Sequence, residues 1–127
     1  MSMFKPESYP SLSPYLIVAD AREVGRFLET VFDATILREH TREDGSVMHV
    51  EYRIDDSVVM MGEAQGDWAS QPTHLHVYVP DAMAVYERAL ASGAEGVQPP
   101  EKKPDGDMRG GFKGPGGNTW WVATEQR

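Results

Sequence analysis

Apolar residues recur along this chain with two periods, one suited to strands and one to helices. Ser11–Ala19 is a largely apolar run that reads as a strand and stops at Asp20. After Asp20 the period lengthens. Val24, Phe27, Leu28, Val31 and Phe32 fall at i, i+3, i+4, i+7 and i+8, the stripe of an amphipathic helix. Asp20 is placed to cap that helix, with Glu23 at the reciprocal capping-box position. Three strands are then expected, over Thr35–Thr41, Ser46–Ile54 and Ser57–Met61. Asp44-Gly45 separates the first two, and Asp55-Asp56 suits a two-residue hairpin turn between the last two.

Residues 62–72 (GEAQGDWASQP) read as a loop and form the best internal boundary. Beyond it the pattern returns. Thr73–Val79 alternates as a strand, Asp81 is a second candidate N-cap, Ala82–Ser92 reads as a helix, and Gly93 fits its C-terminal end. Strands are expected at Gly96–Pro99, Met108–Lys113 and Asn118–Thr124, with Pro99–Gly106 a loop and Gly114–Gly117 a tight turn. Residues 1–10 hold two prolines and read as an irregular lead-in.

The predicted fold class is therefore α+β, one domain over residues 1–127. It is built of two βαβββ modules, at about 11–63 and 72–125, whose mixed sheet is cupped with the helices on its outer face. Neither half is large enough to bury its own sheet easily, so the halves should pack together. Helices on one face leave the other free to curl around a cavity.

Composition narrows the chemistry. The absence of cysteine removes disulfides, thiolate metal sites and cysteine nucleophiles, and suits a reducing cytoplasm. A net charge of -8 argues against nucleic acid as a partner. No apolar run is long enough for a membrane span, and Met1–Pro10 lacks the basic-then-apolar order of a signal peptide. The expected location is the cytoplasm. Nucleophile-elbow, dinucleotide and His-Glu-x-x-His patterns are absent from the sequence.

Three runs resemble one known family. "SPYLIVAD" with its helix resembles the opening module of vicinal-oxygen-chelate proteins, the glyoxalase/bleomycin-resistance/dioxygenase superfamily. "HLHVYVPDAMAVYERALASGAE" resembles the start of their second module, and "FKGPGGNTWWVAT" their closing turn and strand, with Gly114 and Gly116 in place of more usual residues around Pro115. "DGSVMHVEYRIDDSVVMMGEA" resembles the PhnB-like branch in particular. The resemblance implies paired βαβββ modules, frequent homodimers and activities ranging from metal-dependent lyases and dioxygenases to metal-free drug binding.

Carried over motif by motif, the family's four metal positions fall near Ser13 and at Met60, His74 and Trp121. Only His74 is a good ligand, and a catalytic metal needs about three protein ligands, so no metal cofactor is expected there. Strand parity offers an alternative. With Asp55-Asp56 as the turn, Glu51 lies opposite Met60, and His49, Glu51, Met60, His74, His76 and Tyr78 all face the cup. His49, Glu51, His74 and His76 together would be chemically adequate for a divalent metal. Without one they would line a wet polar pocket.

The same parity puts Tyr15 and Trp121 on the cup and Trp120 under a helix. Arg109 is a candidate anion ligand or a partner for a surface acid, Trp68 a loop anchor or pocket cap, and His40 an exposed residue. The leading expectation is a metal-free protein that binds a small organic ligand through Tyr15, Met60, His74, His76, Tyr78, Arg109 and Trp121. The alternative is an enzyme, either a metal-dependent lyase, isomerase or dioxygenase, or a metal-free one in which His49 or Glu51 is the catalytic base. A regulatory partner is a third possibility, and a homodimer is implied by the resemblance.

Overall fold

A computed structural model describes residues 4–126. The element order is β1 (Tyr15–Val18), α1 (Ala21–Phe32), β2 (Thr35–Thr41), β3 (Val47–Ile54), β4 (Ser57–Glu63), then β5 (His74–Tyr78), α2 (Ala82–Ala91), β6 (Glu95–Lys102), β7 (Asp107–Lys113) and β8 (Thr119–Glu125). Two βαβββ modules are thus present. Each forms a four-stranded mixed sheet, in the orders β1-β4-β3-β2 and β5-β8-β7-β6.

Both helices start as their sequences suggest. Asp20 accepts from Glu23 N at 3.0 Å and Asp81 from Ala84 N at 3.1 Å, each filling an otherwise orphan donor. An offset of 61 residues carries one cap onto the other, and the ladders keep the same offset. Tyr15 pairs with Met60 as His76 pairs with Trp121. The Asp55-Asp56 turn is real, because Ile54 faces Ser57 across it.

One segment departs from the sequence-based expectation. Pro99-Pro100 lies inside β6 and not in a loop. β6 is an edge strand, and its ladder jumps from Gln98–Gly111 to Glu101–Arg109, so both prolines sit in an irregularity that asks no N–H of them. The opposing residue is Gly110, where a Cβ would come within 2.6 Å of Gln98 O and Pro100 N. The close approach requires glycine.

The helix-bearing faces of the two sheets share one core. Phe32 of α1 packs, tilted, against Trp120 of β8 with ring centroids 5.3 Å apart, and Phe27 meets Phe112 of β7 edge-on at 6.0 Å. Arg88 of α2 donates to Val31 O of α1 from both Nε and a terminal nitrogen, at 3.1 and 2.9 Å. Trp120, as parity required, is fully buried. This shared packing explains why neither module needs a large core of its own. It also leaves the two helix-free faces outside the core, on sheets that are not hydrogen-bonded to each other among the described residues. No helix of the described chain is long and apolar enough to cross a membrane.

Candidate functional site

The helix-free face of the first sheet centres on Glu51. Register places it between Met60 of β4 and Arg38 of β2, and Met60 in turn faces Tyr15. Glu51 is 1% exposed, which would be costly for an unpaired carboxylate. It is not unpaired. Tyr9 and Arg38 donate to its Oε1, at 2.5 and 2.9 Å, and His49 Nε2 lies 2.7 Å from Oε2. Burial pushes its pKa up, but the hydrogen bonds from Tyr9, His49 and Arg38 outweigh burial and bring it down to about 2. A carboxylate held so far below neutrality orients and accepts hydrogen bonds; it is a weak base.

Because an ionised carboxylate only accepts, His49 Nε2 carries the proton toward Glu51. That leaves Nδ1 directed to the open face, 3.4 Å from the Tyr15 hydroxyl. His40 is exposed, as expected, but its ring lies only 6.4 Å from that of His49 on the same face.

The second sheet's free face is built differently. Trp121 Nε1 donates to His74 Nδ1 at 3.1 Å, and the two rings lie nearly parallel. Arg109 Nε donates to His76 Nε2 at 3.0 Å. His76 therefore accepts there as a neutral imidazole, and burial, followed by the Arg109 charge, lowers its pKa. Arg109 also meets Asp105 at 3.1 Å and Asp107 at 2.9 Å, and Tyr78 donates to Asp107 at 2.8 Å. Arg109 thus pairs with two nearby acids.

Each predicted site residue thus lies on a helix-free face, but the set divides between two sheets. Tyr15, His49, Glu51 and Met60 are on one; His74, His76, Tyr78, Arg109 and Trp121 are on the other. His49, Glu51, His74 and His76 do not fit a metal within this chain. They are on different sheets, Glu51 and His49 are bonded to each other, and one ring nitrogen of His74 and of His76 is engaged by Trp121 and Arg109. Among the described residues no three His, Asp or Glu side chains are grouped to hold an ion.

Beside His49 lies a hollow of about 520 Å³, walled by Tyr15, Ile17, Met48 and Trp68, with Arg42 and Glu63 at its rim. Trp68 is 71% exposed and Tyr15 and Met48 about half exposed. The Trp68 backbone is held by paired hydrogen bonds with Gln65 at 2.9 and 3.0 Å, which leaves the indole exposed at the mouth of the hollow. Two larger hollows, of about 830 and 700 Å³, contain none of the candidate residues except Tyr78. Sequence reasoning missed Tyr9, Arg38 and Met48. Parity on Thr35–Thr41 was the available signal for Arg38. Met48 was hidden by the bulge that shifts register between His40–His49 and Thr41–Val47.

Comparison with known proteins gives a consistent picture. The family described as the Glyoxalase/Bleomycin resistance protein/Dioxygenase superfamily matches residues 11–122. An uncharacterized protein of Mycobacterium bovis is 34% identical, over 87% of this chain and 80% of its own length. Among solved structures, TioX from Micromonospora sp. ML1 superposes with a TM-score of 0.77 at 20% identity, covering 91% of this chain and 98% of that one. A glyoxalase-related enzyme from Fulvimarina pelagi gives 0.74 at 19% identity over 91% and 88%. The fosfomycin resistance protein FosX from Mesorhizobium loti gives 0.62 at 22% identity over 91% and 90%. At these identities the structures speak to fold alone.

Proposed function

Since the chain belongs to the Glyoxalase/Bleomycin resistance protein/Dioxygenase superfamily, we propose that it binds a small organic molecule, without a metal, in the hollow beside His49. The observation that carries this reading is the hollow's wall. Tyr15, Ile17, Met48 and Trp68 offer apolar and aromatic surface, Arg42 and Glu63 add polar groups, and the Tyr15 hydroxyl lies 3.4 Å from His49 Nδ1. That combination is what small-ligand sites need: area to bury and a few polar groups to orient. The chain's -8 charge favours a cationic or neutral ligand at long range.

The reading extends to a homodimer in the cytoplasm. The two free faces lie on separate sheets, so a second copy is the simplest way to cover each of them; the lack of cysteine suits a reducing compartment. The resemblance of the run "DGSVMHVEYRIDDSVVMMGEA" supports a PhnB-like member as the finer reading.

Calorimetric titration with aromatic and cationic compounds, bleomycin-like ones included, tests the binding reading. Saturable binding that weakens at least about tenfold in Trp68→Ala or Tyr15→Ala is expected. No saturable binding, or binding indifferent to both substitutions, overturns it. A second reading rests on the His49–Glu51 contact at 2.7 Å: a histidine oriented by a buried carboxylate is arranged as a general base. Here His49 Nδ1 takes the proton and Glu51 positions the ring.

A further inference from the structure

The lead-in of residues 4–12 has no regular structure, yet it places an aromatic ring on the most polar spot of the first sheet. Ser8, with a φ of 69°, and a 3.2 Å hydrogen bond from Tyr9 N to Pro6 O form a turn that presents the ring. The Tyr9 hydroxyl donates to Glu51. Its ring centroid lies 5.5 Å from the Arg38 guanidinium carbon and 5.7 Å from that of Arg53. Arg53 also donates to Ser8 O at 3.1 Å.

Arg38, Glu51 and Arg53, the three groups that grip the phenol, belong to β2 and β3; only the phenol itself belongs to the lead-in. They would present the same acceptor and the same two cations to any flat ring carrying a hydroxyl. A chain of contacts links the spot to the hollow: Glu51 meets His49 at 2.7 Å, and His49 lies 3.4 Å from the hydroxyl of Tyr15, which lines it. We infer that Arg38, Glu51 and Arg53 form a subsite for a hydroxylated aromatic ring, and that Tyr9 is its tethered occupant, displaced when such a ligand enters. This rests on the ligand-binding reading above and gives that ligand a class.

The magnitudes allow displacement. Tyr9 is held by two cation–ring contacts at an exposed site and one hydrogen bond to a charged group, each a modest contribution. Ordering the lead-in costs conformational entropy, which opposes that gain. A free ligand competes with the strap, and its apparent affinity is its intrinsic affinity multiplied by the fraction of time the strap is open.

The test uses p-cresol, the tyrosine side chain as a free molecule, with toluene as the ring that lacks the hydroxyl. Nitrogen-15 spectra of the full chain and of Tyr9→Ala are followed at the Arg38 and Arg53 side-chain N–H and at the Ser8 amide. We expect p-cresol to saturate the arginine shifts in Tyr9→Ala at least about tenfold more tightly than in the unsubstituted chain. Toluene should be at least about tenfold weaker than p-cresol. In the unsubstituted chain, saturation should move the Ser8 amide to its disordered position. Equal p-cresol affinity for both proteins overturns the inference, as does parity with toluene, an unresponsive Arg38 and Arg53, or an unmoved Ser8. If Tyr9→Ala does not give a folded spectrum, Tyr9→Phe keeps the ring and loses only the hydroxyl; p-cresol must then bind it more tightly than the unsubstituted chain. Failure of the ligand-binding reading looks different: the Trp68 indole N–H stays silent while Arg38 and Arg53 respond.

Discussion

The two modules share a skeleton and differ in the chemistry of their free faces. Met60 and Trp121 occupy equivalent places on β4 and β8, and each faces a residue on the next strand. In the first module that residue is Glu51, a buried carboxylate with three partners. In the second it is Gly111, because the Trp121 ring lies flat across it; a Cβ there would come 2.5 Å from Trp121 Cε3. One face gathers charge under a strap. The other carries two imidazoles that accept hydrogen bonds, from Trp121 and Arg109, and an arginine balanced by two aspartates. A repeated fold thus supplies positions, while the side chain at one pair of positions decides whether the face becomes ionic or aromatic.

The largest effect is expected from forcing the second face to copy the first. Gly111→Glu drives a side chain into the Trp121 ring and should cost about 3 kcal/mol or more of stability, read from urea unfolding. A cost under about 0.5 kcal/mol would mean that Trp121 moves freely, and the contrast between the faces would lose its steric basis.

The next effect sharpens the ionic side. Glu51→Gln should cost about 1–3 kcal/mol at neutral pH, because Arg38 and His49 lose a charged acceptor. The sign with pH follows from the pKa of about 2 against 4.5 for an ordinary glutamate. A depressed carboxylate contributes stability that is complete above about 4.5 and disappears as pH falls toward about 2. The unsubstituted chain should therefore lose stability over that interval more steeply than Glu51→Gln. Parallel curves would show that Glu51 titrates normally.

The smallest effect is on the second face. His76 should titrate below its ordinary 6.5, as followed by its ring-proton NMR signal. Arg109→Gln removes the neighbouring positive charge and should move that titration up, though burial will keep it from returning fully. No upward movement would leave burial as the whole cause.

How much of this was legible in the sequence depended on whether a residue's role is set by its own strand. Parity on β3, β4, β5 and β8 put His49, Glu51, Met60, His74, His76 and Trp121 on free faces, and sent Trp120 to the core, because side chains alternate strictly along an extended chain. Long-range placement was not legible. Nothing local says that Tyr9 reaches Glu51, 42 residues away, since the lead-in has no periodicity to read. Nor does any local pattern say that the two free faces belong to separate sheets; α1 settles that by packing against Phe112 and Trp120. β6 was cut short for a related reason: proline excludes a central strand, but whether a strand is central is a property of the whole sheet.

The strand order has a consequence for the protein in a crowded solution. Two separate sheets expose four outer strands where one closed barrel would expose none. Each is a template on which another chain could grow a fibre, and each is blunted. β1 is four residues long, follows Pro14 and has its Ile17 carbonyl taken by the Gln71 amide at 3.2 Å. β2 carries Arg38 and Glu39, β5 is five residues long between Pro72 and Pro80, and β6 holds Pro99-Pro100. Together with eight units of net negative charge, these edges should keep concentrated or heated solutions clear, with self-association ending at a finite complex instead of propagating strand by strand.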